Sequence, residues 1–436
     1  MSQITSTLSN AFQFNLVYKI MPLVLASSLS LQVLAIESAA PREVGISEPR
    51  AEIFRNELQR RVDADELPGA VFMALRNGKI AVHQAVGFQD KAAKTPMKPD
   101  SIFRMASMTK PIVSTAILML SEQGKLFIND PLSMHLPEFA NMKVLVEKDA
   151  LDPKSEFVLE PTRREITIHD LLRHTSGLTY GFFDKSRVDT MYMDANLLSQ
   201  DQTLAQQVSK LATLPLKHQP GTVWDYSLST DVLGRVIEVI TNKSLDIALN
   251  EMIFAPLQMN DTGFWVPATK LNRLAQPQIN PKTGKTFPVR RGDSLPKLIS
   301  GGGGMMSTAA DYARFSQMML NMGELEGVRI LSRKSIELMT SNHLPPNVVF
   351  TSRVSTTAPK PETGMGFGLG FAVRLESGRS ALPGSTGEFW WAGATGTNFV
   401  IDPKEKMILL LLTQQPDRMG DYLKLMRQMG YSMLLN

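Results

Sequence analysis

The chain contains no cysteine. Disulfides, zinc–thiolate sites, iron–sulfur clusters and a thiol nucleophile are therefore excluded together. The compartment stays open, because a cysteine-free chain works in oxidising and reducing spaces alike. Charge of one sign is also missing: 46 Lys and Arg stand against 42 Asp and Glu, a net +4 spread along 436 residues without a block of like charges. That is a solvated mixed surface, not a nucleic-acid tail. After the N-terminal segment no run approaches the roughly 20 apolar residues of a membrane span. Gly-x-Ser-x-Gly and His-Glu-x-x-His are absent, which argues against an α/β-hydrolase elbow and a zinc protease. His169 and His174 are spaced to diverge on a helix. Gly284-Lys285-Thr286 lacks the upstream glycine of a phosphate loop. No cofactor and no metal are implied.

At 43% hydrophobic residues, the chain has ample material for a large core. Near the N-terminus, Lys19 precedes an apolar stretch from Ile20 to Ala35 that ends in Val33-Leu34-Ala35, and no acid occurs before Glu37. This is the outline of a cleavable export signal over residues 1–35, although a single lysine is a poor basic region. A periplasmic or secreted location is expected if the segment is cleaved, and a cytoplasmic one otherwise.

Apolar runs Gly69–Leu75 and Lys79–Gly87 flank Asn77-Gly78, a hairpin signal because both turn positions favour positive φ. Glu48–Val62 has helical periodicity. A second helix is predicted over Ser107–Gln123, apolar nearly all round. Thr167–His174 reads as a short capped helix, and Ser229–Asn242 and Thr308–Met322 as amphipathic ones. Strand character returns at Phe367–Val373, then in a hairpin of Gly396–Ile401 and Met407–Thr413, before a final helix at 421–435. Strands at both ends with helices between predict an α+β fold: an antiparallel sheet flanked by helices, with a large, mainly helical insertion. The expected domains are 36–138 with 331–436, and 139–330.

Ser107-Met108-Thr109-Lys110 places a hydroxyl and an ammonium one helical turn apart. Serine needs a base or a favourable field to become a nucleophile. A helix N-terminus supplies positive potential and unpaired N–H groups. Burial is expected to lower the Lys110 pKa towards a useful base. Pro111 fixes the helix start near Ser107, since proline is tolerated only in a first turn. The bland alternative for Ser107 is a plain N-cap. Ser294-Leu295-Pro296-Lys297 has the same spacing but carries Pro296 inside it and no helical pattern after it.

In context, Phe103-Arg104-Met105-Ala106-Ser107-Met108-Thr109-Lys110 resembles the nucleophile segment of the class C β-lactamase and penicillin-binding superfamily. Leu171-Leu172-Arg173-His174-Thr175-Ser176-Gly177-Leu178, the stretch Pro220–Ser227 with Tyr226, Phe254–Met259 and Gly302–Thr308 resemble further segments of that family in the same order. The resemblance covers about residues 45 to 415 and is closest to the family VIII carboxylesterases. It implies a β-lactamase/transpeptidase-like fold and a covalent acyl-enzyme on Ser107, with Lys110 and Tyr226 as general base and acid. Trp391-Ala392-Gly393, just ahead of the Gly396 strand, resembles the family's pocket triplet. The resemblance then makes the N–H groups of Ser107 and Ala394 the expected oxyanion hole, with Trp391 and Gly393 beside it. Lys282-Thr283-Gly284 spells the β-lactamase triplet literally, but lies between prolines in a polar stretch and reads as a surface turn.

Two departures bear on substrate. Leu228 stands where β-lactamases carry Asn, and Trp391 where they carry Lys or another polar residue. Both favour an uncharged small-molecule ester, with Arg173 or another base available to receive a substrate carboxylate. β-Lactam or D,D-peptide turnover, and acyl transfer, are the alternatives on the same fold. A non-catalytic ligand-binding member is the remaining one.

Overall fold

The computed structural model describes residues 36–148, 156–278, 289–350 and 360–435. The export-signal segment and the Lys282-Thr283-Gly284 turn lie outside them. The described residues form one compact unit.

An eight-stranded antiparallel sheet joins the two ends of the chain. Its strands are β1 (Gly69–Arg76), β2 (Lys79–Asp90), β3 (Thr95–Pro96), β4 (Met365–Phe367), β5 (Ala372–Arg374), β6 (Phe389–Gly393), β7 (Thr397–Asp402) and β8 (Met407–Thr413). The order across the sheet is β4-β5-β6-β7-β8-β1-β2-β3, so the first and last long strands are central neighbours, with Ala70 opposite Thr413. Asn77 (φ 53°) and Gly78 (φ 77°) make the β1–β2 turn in the left-handed backbone region that their sequence predicted. The segment 367–373, predicted as one strand, instead runs from the end of β4 through a turn into β5: Gly370 takes φ 92°, which folds the chain back on itself.

Both faces of the sheet are covered, which is why β8 is buried along its whole length. Helices α1 (Glu48–Asp63) and α10 (Met419–Ser432) pack together on one side, where Gly430 lies against Leu409. Helix α8 (Ala309–Leu320) lies on the other, with the Tyr312 ring 5.1 Å from Phe399, the residue paired with Leu410. Adjacent residues 409 and 410 thus serve opposite layers, as strand alternation requires.

Between the sheet halves come α2 (Thr109–Glu122), α3 (Ile168–Leu172), α4 (Arg187–Asp194), α5 (Leu204–Leu211), α6 (Ser229–Thr241), α7 (Leu245–Leu249) and α9 (Arg333–Met339), with short two-stranded pairings. Thr167 caps α3 through a reciprocal capping box with Asp170. Helix α2 is buried on nearly every face. Among the described residues no helix is long and apolar enough to cross a membrane.

Candidate active site

Ser107 sits in a single 3-10 turn, Ala106–Met108, that leads into α2. Its side chain caps nothing, which removes the N-cap reading. Pro111 is the third residue of α2, where no intrahelical N–H is missed. Ala106, immediately before the serine, has φ 45°, a left-handed conformation costly for a residue with a Cβ. Neighbouring elements hold it there. Thr395 Oγ1 donates to the Arg104 carbonyl at 2.5 Å, Thr397 Oγ1 to the Met105 carbonyl at 3.0 Å, and the Met105 N–H to Met305 at 2.9 Å.

Lys110 is buried to 1% exposure and spends three N–H bonds. They go to Ser107 Oγ at 3.2 Å, the Tyr180 hydroxyl at 2.9 Å and the Gly302 carbonyl at 2.6 Å. Three acceptors match the three donors of an ammonium. Burial works against the charge, but the phenols of Tyr180 and Tyr226 outweigh it and hold the Lys110 pKa above the ordinary lysine value. The expected lowering is thus reversed: desolvation without acceptors lowers a lysine, whereas this lysine is desolvated among acceptors. Tyr180 itself is pushed up by burial, so it keeps its proton and receives a hydrogen bond as a neutral phenol.

Tyr226 follows the short strand Val223–Trp224 and precedes α6. Its ring centroid is 4.6 Å from Lys110 Nζ, a cation–π contact. Its phenol oxygen accepts from Trp391 Nε1 at 3.3 Å. The rings of His174, Tyr180 and Trp391 lie 4.8, 5.4 and 5.4 Å away and fix its position. His174 is fully buried against Ser227 Oγ at 3.3 Å, and burial with Lys110 nearby keeps its pKa well below the usual histidine value.

These groups border a cavity of about 390 Å³ whose lining includes Ser107, Tyr226, Trp391 and Ala394. The Ala394 N–H donates to no backbone carbonyl among the described residues. Gly393 packs so tightly that a Cβ there would meet the Met105 carbonyl at 2.2 Å. A serine hydroxyl, a charged lysine, a phenol and the Ala394 amide thus meet in one cleft, the equipment for acyl transfer.

The Beta-lactamase family model matches residues 54–429. The chain belongs to the β-lactamase family. Within it, an uncharacterised protein of Mycobacterium tuberculosis is 38% identical over 362 residues, spanning 81% of this chain and 88% of its own. Esterase EstB of Burkholderia gladioli is 31% identical, spanning 83% of this chain and 88% of its own. Among solved structures, EstCE1, a hydrolase with promiscuous acyltransferase activity, superposes with a TM-score of 0.72 at 26% identity, over 88% of this chain and 98% of its own. The β-lactamase-like α+β fold and the esterase-like look read from the motifs agree with these relatives.

Several local expectations change. Trp391-Ala392-Gly393 lies just ahead of β7, as read from the sequence, and is itself most of β6, paired with β7, with Ala394 opening the turn between them. Leu228 is fully buried beneath the start of α6 and does not line the cavity. Arg173 is spent on Asp170, Thr175 and the His343 carbonyl. His169 pairs with His343, apart from His174. Ser294 and Lys297 are exposed on a loop, so that copy of the spacing carries nothing. Tyr180 is the residue that sequence reasoning missed. Its only signal was its place two residues beyond the Leu171–Leu178 motif.

Proposed function

We propose that this β-lactamase-family chain is a serine carboxylesterase. Ser107 Oγ attacks the acyl carbonyl while its proton passes to Tyr226, which enters the cycle as a phenolate paired with the Lys110 ammonium. The Ser107 and Ala394 amides receive the oxyanion. The carbonyl re-forms, the ester C–O bond breaks, and the leaving alkoxide takes the proton from Tyr226. Water then attacks the acyl-enzyme, returning its proton through Tyr226 to Ser107 Oγ and releasing the acid. The 3.2 Å contact between Lys110 Nζ and Ser107 Oγ, on the wall of a cavity faced by Trp391, carries the reading. Hydrolysis of 4-nitrophenyl butyrate tests it. Ser107→Ala is expected to lower kcat by at least about 10³-fold and to abolish fluorophosphonate labelling. A variant that keeps most of the rate defeats the assignment, and nitrocefin turnover equal to ester turnover favours a lactamase instead.

Acyl transfer to an alcohol is the second reading. The likeness to EstCE1 supports it, as do Phe182 and Phe183 in the cavity lining, which suit an apolar acceptor. Product analysis with added alcohols separates the two.

A further inference from the structure

Among the charged residues that border the cavity are Arg104, Asp231 and Arg290, and the Lys110 ammonium reaches it through Ser107. Three of these four groups are cations. Asp231 is already capped, accepting from Ser300 Oγ at 2.6 Å and the Gly302 N–H at 3.2 Å. The two arginines differ. Arg104 donates from all three of its nitrogens, to the carbonyls of Ala275, Arg290 and Arg291. It is a clamp on the backbone from which Arg290 projects. Arg290 donates once, from Nη1 to the Leu298 carbonyl at 2.8 Å, and makes no ion pair among the described residues.

A guanidinium has five N–H groups in a planar fork. Most of those on Arg290 have no partner among the described residues, although the side chain is half-buried. Burial pulls its pKa down, and Asp231 and Tyr180 only partly offset this, which places the charge beside cavity groups. Holding an unpaired cation out of water is costly unless something complements it. The complement of a guanidinium fork is a planar anion.

Resting on the esterase reading above, we propose that Arg290 is a specificity-determining residue that binds a carboxylate on the substrate, so that esters bearing an anionic group on the acyl or alcohol part are preferred over neutral ones. This replaces the uncharged ester expected from Trp391 and Leu228 alone.

The test pairs charged and neutral isosteres. Adipic acid mono-4-nitrophenyl ester against 4-nitrophenyl hexanoate places the charge on the acyl side. 4-Acetoxybenzoate against 4-acetoxybenzamide places it on the alcohol side. At least one charged partner is expected to be favoured in kcat/KM by about tenfold or more, and the arm that shows it names the side. Arg290→Met is expected to erase that preference through KM, leave the neutral esters within about threefold, and be partly rescued by Arg290→Lys. A second readout needs no turnover: calorimetric binding of adipate and of 4-hydroxybenzoate to the Ser107→Ala protein, with and without Arg290→Met. Loss of at least one affinity with Arg290→Met supports the anion site even if no ester is hydrolysed, which separates failure of the site from failure of the esterase reading. If Arg290→Met does not fold, as judged by its melting curve, Arg290→Gln takes its place. Equal turnover of charged and neutral esters in the unaltered protein, or a preference and affinity that survive removal of Arg290, overturns the proposal.

Discussion

The two walls of the cavity are built differently. The wall formed by the nucleophile turn and the β6–β7 hairpin is tied by Thr395, Thr397 and Met105, and Gly393 leaves no room for a single added methyl. The wall formed by residues 180–200 and 289–304 carries exposed apolar groups, Phe182 at 49% and Leu198 at 42%. Reaction geometry tolerates little displacement, whereas recognition tolerates exchange, so the bonded wall suits chemistry and the open wall selection. Lys110 belongs to both, because two of its three acceptors, Tyr180 and Gly302, come from the open side.

Tyr226 and Tyr180 test that division most directly. Tyr226→Phe removes the proposed proton carrier and is expected to lower kcat by about 10²–10⁴-fold. Tyr180→Phe removes a positioning contact, with a smaller loss and a distinct signature. Without that acceptor, burial pulls the Lys110 pKa down, so the alkaline limb of the pH–rate profile moves to lower pH. Equal losses with unmoved profiles would erase the distinction between the walls. Gly302→Ala comes next. Its Cβ would stand 2.4 Å from Asp231 Oδ2 and 3.1 Å from the Tyr180 hydroxyl. Overpacking of this kind costs about 1–3 kcal/mol, and a lower Tm should accompany a fall in kcat as the carbonyl leaves Lys110.

The smallest effect lies away from the cavity and sharpens the comparison as a control. Burial pushes Asp311 up to about 6 from an ordinary 3.8, although it accepts from the Asp261 N–H at 2.7 Å and Thr262 Oγ1 at 2.8 Å. Between those two values the folded chain holds a proton that the unfolded chain has lost. The associated stability is present below the lower value and disappears as pH rises through the upper one. Asp311→Asn should therefore flatten the decline in Tm across that window without changing kcat at neutral pH. An unchanged slope would remove Asp311 from the account.

What was readable in the sequence was local. Asn77-Gly78 declared its hairpin through backbone conformation, Thr167 and Asp170 declared a capped helix, and Ser107 with Lys110 needed only one turn of helix to meet. What was hidden depended on distant partners. The direction of the Lys110 shift required knowing that Tyr180 and Gly302 supply acceptors from 70 and 192 residues away. Arg290 sat in a polar stretch without periodicity, and its lack of an ion pair among the described residues is a fact of the assembled cavity. The misreading of 367–373 has the same root: the segment has strand character, but at the turn Gly370 packs against Ser114 of α2, which leaves no room for a side chain there.

The pairing of β1 with β8 has a consequence for how this molecule comes into being. A strand begun at residue 69 waits for one finished at residue 413 before it gains its central neighbour. During synthesis the early hairpin leaves the ribosome with an apolar edge uncovered, and Thr395 and Thr397, which steady the turn before Ser107, emerge after most of the polypeptide. Closure over so long a separation is slow and leaves the nascent chain open to self-association. The active cleft is thus a late product of folding, and a ribosome-bound chain that stops short of β8 is an unfinished sheet and not a partial enzyme.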